Sequence, residues 1–407
     1  MKDRYAKSHE IFANAKQIIP GGVTLARVDH VPGRYPIYMD RAEGSHVWDV
    51  DGNEYIDWMS GYGCILLGHK YKAVDDAAIE QIGKSFISFL SNPLQNDLAE
   101  LLIETIPSAE MVRFCKSGTD ATVGAVRMAR IYTGRDKVIR CGYHGWSDWA
   151  LSNFEGLDAG VPQSTRDMTI AFEYNNLDSL KAAFDANPGE VACLIMMPLE
   201  TEMPAEGFLE GAKKICHDNG AVFILDEVRS SYRMAMGGAQ EYFNVIPDLT
   251  AISKSMANGY AIGAVVGKKE VMSAISKGLF SATFFISTLE MAASMATINI
   301  LKNEPVIEHI WRLGEKLQQG LKEVISETGL NIEVVGAPPM PFMKFCIEDE
   351  ETNNKLKMEF YAEVAAQGVY FHPGHHWFVN YSHTDDDMEK TVEICRKAFK
   401  VAKEAVC

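Results

Sequence analysis

In "AVFILDEV" an apolar run ends at Asp226, and in "DLTAISKS" a shorter run, Leu249 to Ile252, ends just before Lys254. Short apolar runs bounded by polar residues read as buried strands of an α/β sheet. The C-terminal ends of such strands are where open sheets bind ligands. A lone carboxylate or ammonium there is ordinarily a solvated loop residue. An acid and an amine on neighbouring strand ends suit one cofactor, pyridoxal 5'-phosphate (PLP). A lysine amine forms a Schiff base with its aldehyde, and a carboxylate keeps its ring nitrogen protonated so that the ring withdraws electrons. A lysine desolvated beside a cationic ring also loses basicity and can act as nucleophile and proton carrier near neutrality.

A cofactor that carries a phosphate needs a cradle. "RFCKSGTDA" places Ser117, Gly118 and Thr119 between an apolar run and a helix pattern. The N–H groups of a helix start and the Thr119 hydroxyl can donate to the dianion, and Gly118 lets the backbone come close. The same residues would also serve as a plain N-cap. "CGYHGW" follows the next apolar run, and its Tyr143 can stack on a pyridine face or simply pack at a boundary.

These residues need elements to hold them. "MVRFC", "KVIRC", "VACLIMMP", "AVFILD" and "LTAIS" alternate with amphipathic stretches, the pattern of βαβ units in a parallel sheet, and "AIGAVVG" adds a strand. "GSHVWDVDGNEYIDW" reads as a hairpin turning at Asp51-Gly52. Apolar residues return at helical spacing from about Lys72 to Ile106. Beyond Pro305 come a polar helix over roughly 307–328, strand-like "NIEVVGAPPMPFMKF", a helix from about Asn354, and a terminal helix from Asp385. This places a large domain over 56–305 and a smaller α+β domain over 306–407, joined by an N-terminal segment, 1–55.

The 407 residues exceed what one small core needs. A formal charge of −16 argues against a nucleic-acid backbone or an anionic membrane as partner. The 8 cysteines form no CxxC pair, which reads as reduced and mostly buried thiols rather than a disulfide or zinc framework. The polar N-terminus lacks the apolar core of a signal peptide, and no stretch reaches the length of a membrane span. A cytoplasmic enzyme is the expectation. His372, His375 and His376 in "FHPGHHWF" lack companion ligands at metal spacing, and the segment reads as a packed aromatic turn.

"FCKSGTDATVGAVRMARIYTGRDKVIRCGYHG", "FILDEVRSSYRMAMGGAQEYFNVIPDLTAISKSMANGYAIGAVVGKKEVM" and "PGGVTLARVDHVPGRYPIYMDRAEGSHVWDVDGNEYIDW" together resemble a class III PLP-dependent aminotransferase, in the branch around glutamate-1-semialdehyde aminomutase. The likeness runs in order from about Ile19 to "YSHTDDDMEKT". It implies fold type I, with a mainly parallel seven-stranded sheet in the large domain, and a homodimer with shared active sites. By motif, Lys254 would be the Schiff-base lysine and Asp226 the partner of the ring nitrogen. Val228 and Tyr143 would cover the ring faces. Ser117, Gly118 and Thr119 would take the phosphate, with Thr283 in "SATFF" reaching it across the dimer. His144 would support the site or serve as a hydrogen-bonded structural histidine.

The reaction so implied is transamination from an amine donor to a keto or aldehyde acceptor, through the Lys254 Schiff base and pyridoxamine phosphate. An aminomutase, racemase or epimerase outcome uses the same groups. Departures bear on the substrate. Asp120 replaces the family's usual glutamate, and Met197 stands where a Glu-Pro segment is usual. Glu202 falls near the position that faces the ring hydroxyl and substrate. Arg27 offers a bidentate fork for a carboxylate, with Arg229 and Arg233 as weaker candidates and Arg233 reading as structural.

Overall fold

A computed structural model describes residues 3–24 and 31–406. It divides into two compact units, one made of Met1–Tyr71 with Glu308–Cys407 and the other of Lys72–Ile307.

The first unit opens with helix α1 (Ala6–Ala15) and the antiparallel strands β1 (Met39–Glu43), β2 (His46–Asp49) and β3 (Glu54–Asp57). The expected hairpin joins β2 to β3. Its organiser is Asp49, whose carboxylate accepts from the Asp51 and Asn53 N–H groups (3.0 and 2.8 Å) and from the Tyr55 hydroxyl (2.7 Å). An aspartate bonding its own downstream backbone fixes a turn before any strand pairs.

The second unit begins with α2 (Lys72–Gly83) and α3 (Leu94–Thr105). The helical periodicity expected across this stretch is therefore broken. Residues 84–93 leave the helix, and Asn92 restarts it by accepting from the Leu94 N–H at 3.0 Å. Next come β4 (Met111–Cys115), α4 (Gly118–Thr133), β5 (Lys137–Cys141), β6 (Thr169–Ala171), α5 (Leu177–Asp185), β7 (Val191–Met196), α6 (Phe208–Asp218), β8 (Val222–Asp226), β9 (Leu249–Ile252) and β10 (Gly263–Gly267). They form one seven-stranded sheet in the order β4-β10-β9-β8-β7-β5-β6. The pairs from β9 through β6 are parallel, and β10 alone runs against its neighbours β9 and β4.

Both faces of this sheet are covered, which explains why its strands read as unbroken apolar runs. Cys193, Ile195, Val222 and Ile224 pack with Ala121, Ala125 and Ala129 of α4. Leu194, Met196, Phe223 and Leu225 pack with Leu209 and Ala212 of α6 on the other face. Burying a large aliphatic side chain contributes about 1.5–3 kcal/mol, so the strands that carry the site are among the best anchored. α7 (Leu289–Asn303) closes this part of the chain, and α8 (Val306–Thr328) leads back to the first unit.

There the strands β11 (Ile332–Val335) and β12 (Phe342–Phe345) pair with each other, followed by α9 (Glu350–Ala366). This helix starts ahead of its expected beginning at Asn354 because the Asp349 carboxylate caps it, accepting from the Thr352 N–H at 2.8 Å. β13 (Val369–Tyr370) then pairs in parallel with β3, and α10 (Asp385–Val406) ends the described chain. The histidine-rich turn between them is packed aromatic structure. Trp377 stacks on Phe371 at 3.7 Å, and Tyr62 sets its edge on His375 at 4.8 Å.

Candidate active site

β8 and β9 are fully buried and lie side by side in parallel, with Asp226 opposite Ala251. The Glu227 N–H continues the ladder to the Ala251 carbonyl at 2.9 Å. Lys254 follows at the same end of the sheet, where it opens the turn Lys254–Ala257. Neighbouring strands are about 4.8 Å apart, so the acid and the amine share one rim. Lys254 is only partly exposed and has φ +46°, a left-handed conformation that is costly for a side chain of its kind.

Asp226 is buried and both of its oxygens are engaged. Oδ1 accepts from the Val228 N–H at 3.1 Å, and Oδ2 lies 2.7 Å from His144 Nδ1. His144 is buried too, and its Nε2 meets the Cys141 carbonyl at 2.9 Å. A carbonyl only accepts, so Nε2 donates to it, and the short Nδ1–Oδ2 contact is a hydrogen bond only with a proton between those two atoms. Thr122 donates to the His144 carbonyl at 2.7 Å, and Trp149 lies parallel to the imidazole at 6.1 Å. His144 is thus engaged at both ring nitrogens, one of them by Asp226.

The candidate cradle sits at the start of α4. Ser117 caps the helix, accepting from the Asp120 N–H at 3.1 Å and donating to the Asp120 carboxylate at 2.8 Å. Its hydroxyl is therefore committed, and the donors left for an anion are the first-turn N–H groups and Thr119. A Cβ on Gly118 would come within 2.6 Å of Val228 Cγ1. Only glycine lets the helix start close over the segment that follows β8. Thr119 packs against Gly145, so residues after β4, β5 and β8 converge on one place. Tyr143 stands beside them, about half exposed, between buried Cys141 and His144.

Other candidates are placed differently. Thr283 is exposed at the head of the turn Thr283–Ile286 and takes no part in the contacts above. Arg27 falls outside the described residues. Arg233 is fully buried. Glu202 is exposed, while Glu200 turns inward. Its Oε1 is buried without a hydrogen-bond partner among the described residues and packs so closely on Gly142 that a Cβ there would lie 2.2 Å away. Burial pushes the Glu200 carboxyl above its ordinary range and Asp226 adds to this, while Arg229 and His144 draw it back. Arg229 is partly buried and donates through Nη2 to the carbonyls of Leu199 and Glu200.

The residues present fit PLP. There is an engaged carboxylate for the ring nitrogen, a lysine on the adjoining strand end, and a helix start pressed close enough to leave room for no side chain at Gly118.

Residues 28–399 match the family "Aminotransferase class-III". A 3-aminobutyryl-CoA aminotransferase of Cloacimonas acidaminovorans (strain Evry) is 40% identical over 412 residues, covering 99% of each chain. A glutamate-1-semialdehyde 2,1-aminomutase of Desulforamulus reducens is 36% identical, again over 99% of each chain. Among solved structures, the FumI protein of Sphingopyxis sp. MTA144, in its PLP internal aldimine form, superposes with a TM-score of 0.93 at 30% identity, covering 98% of this chain and 97% of its own. With a family match across most of its length and curated relatives alike from end to end, this chain belongs to the class-III aminotransferases.

Proposed function

We propose that this aminotransferase holds PLP at the rim shared by β8 and β9, with Lys254 and Asp226 as its two chemical anchors. The observation that carries this reading is their placement on adjacent parallel strands at the same end of the sheet. When bound, PLP supplies an aldehyde that condenses with amines and a ring that takes up negative charge from the neighbouring carbon.

The chain's own residues do the rest. Asp226, held by His144, presents a carboxylate to the ring nitrogen and keeps a proton there. The start of α4, with Gly118 and Thr119, binds the phosphate, and Ser117 shapes that turn as its cap. Val228 and Tyr143 confine the ring from its two faces. Lys254 Nζ, freed when the donor amine takes its place, accepts the proton from the donor carbon and returns it one position away. Borohydride reduction tests the assignment. Wild-type protein loaded with PLP becomes covalently labelled, whereas Lys254→Ala does not; labelling of the variant to the wild-type extent overturns it.

The substrate we assign is an amine on the carbon β to an acyl group, as in the relative named for 3-aminobutyryl-CoA, with a keto or aldehyde acceptor in the second half-reaction. Full-length identity of 40% to that enzyme supports this choice. The aminomutase and racemase outcomes differ in the amine's fate. With a donor and no acceptor, a transaminase stops after one half-reaction while the others keep turning over.

The assembly we propose is a cytoplasmic homodimer in which Thr283 completes the partner's phosphate site. Phe89, Leu90 and Phe284 are strongly exposed for their type. The segments bearing them are neighbours, since the Thr288 N–H donates to the Phe86 carbonyl at 2.8 Å. Large exposed apolar side chains drawn together mark a protein interface. Among the described residues no helix is long and apolar enough to cross a membrane.

A further inference from the structure

Arg140 has none of the roles assigned above, and it stands in a costly place. It is the penultimate residue of β5, only 4% exposed, and no carboxylate pairs with it among the described residues. A guanidinium withdrawn from water without a counter-charge is expensive. What it touches is one loop. Nη1 donates to the Gly142 carbonyl at 3.3 Å and Nη2 to the Ser152 carbonyl at 2.7 Å. Its Cζ lies 5.1 Å from the centre of the Phe154 ring, just beyond. One planar fork therefore ties together the two ends of the stretch 142–152, which a single ammonium cannot do.

That stretch carries His144 and Gly145. His144 meets the buried Asp226 carboxylate at 2.7 Å, and Gly145 packs on the Thr119 side chain. Gly142 and Gly145 lie at φ +91° and +102°, in the left-handed region that glycine enters freely, so the loop's own backbone does little to fix its course. The fork supplies the missing restraint from beneath.

We propose that Arg140 is a positioning residue for the cofactor site: by bridging the Gly142 and Ser152 carbonyls it sets the loop that holds His144 on Asp226. The proposal rests on the reading of Asp226 and Lys254 as the cofactor's anchors. Arg140 acts through His144 and not on the cofactor itself. A loop fixed in advance leaves less freedom to be lost when PLP binds.

The test measures PLP affinity by equilibrium dialysis, with amide hydrogen exchange over 142–152 followed in the cofactor-free protein. Arg140→Met keeps an apolar stem and loses both bonds. Its PLP affinity is expected to fall about tenfold, the factor for one lost hydrogen bond to a charged group. The amides of 142–152 exchange faster while the strands keep their protection. Arg140→Lys keeps the charge but reaches one carbonyl at a time, so it too binds PLP more weakly. Wild-type affinity in Arg140→Lys would mean that charge alone suffices and overturns the bridge, and this variant carries the test should Arg140→Met fail to fold. Combined with His144→Phe, Arg140→Met is expected to cost less than the two single losses together, because both act through one contact. Full addition of the losses, or unchanged exchange over 142–152 in both Arg140 variants, overturns the proposal. Failure of PLP-loaded wild-type protein to label through Lys254 with borohydride refutes the cofactor reading instead, and the exchange of the cofactor-free loop is independent of that result.

Discussion

Gly118 has almost no room. A single methyl added to it would meet the side chain of Val228, and the segment bearing Val228 is pinned by the hydrogen bond from its own N–H to Asp226. The helix start and the acid are therefore fixed by one contact, and a change in one displaces the other. Gly118→Ala is expected to weaken PLP binding at least tenfold, or about 1.4 kcal/mol, with little change in the far-ultraviolet circular dichroism. Adding Val228→Ala gives the methyl space and restores part of the affinity. Equilibrium dialysis of the cofactor measures both effects, and an undiminished affinity in Gly118→Ala would show that the cradle lies elsewhere.

At the scale of elements, what could be read from the chain was whatever repeats or caps locally. The strands leading to Asp226 and Lys254 announced themselves because each is apolar on both faces, and the candidate cradle because Ser117 sits just before a helix pattern. The inward turn of Glu200 could not be read. "LETE" offers two similar acids, and which of them is buried depends on Gly142, a residue on a different strand end. The break at 84–93 was hidden for a related reason, since its apolar residues continue the helical spacing while Asn92 and Pro93 restart the helix. A further element-scale property lay in "NYSHTDD". His383 is fully buried, stacks on Trp58 at 4.3 Å, and accepts the Asn380 N–H on Nδ1 at 3.0 Å.

Burial lowers the affinity of His383 for a proton, from an ordinary 6.5 to about 4, against the pull of Asp387 and Asp57 and with a small push from His46. The folded chain thus keeps this ring neutral over a range in which the unfolded chain protonates it. The associated stability is fully present above pH 6.5, is lost progressively as the pH falls from 6.5 towards 4, and amounts to about 3 kcal/mol. The urea midpoint should fall across this window in wild type and fall less steeply in His383→Gln. Identical slopes would mean that the ring's proton is not coupled to folding.

For the whole molecule, the proposed dimer makes activity a matter of concentration. Phe89→Asp with Leu90→Asp puts two charges where large apolar side chains are exposed. The expected result is a monomer by sedimentation, together with loss of bound PLP as Thr283 of the second copy is withdrawn. A variant that stays dimeric would place the contact on another face. Production of the chain is constrained as well. One of the two edges of β3 is matched only by β13, far downstream in the sequence. Until the ribosome has delivered β13, that edge is a row of unanswered amides and carbonyls, open to any passing strand. Truncated products should therefore precipitate before they are degraded, and slow release from the ribosome should favour chaperones that shield extended chain.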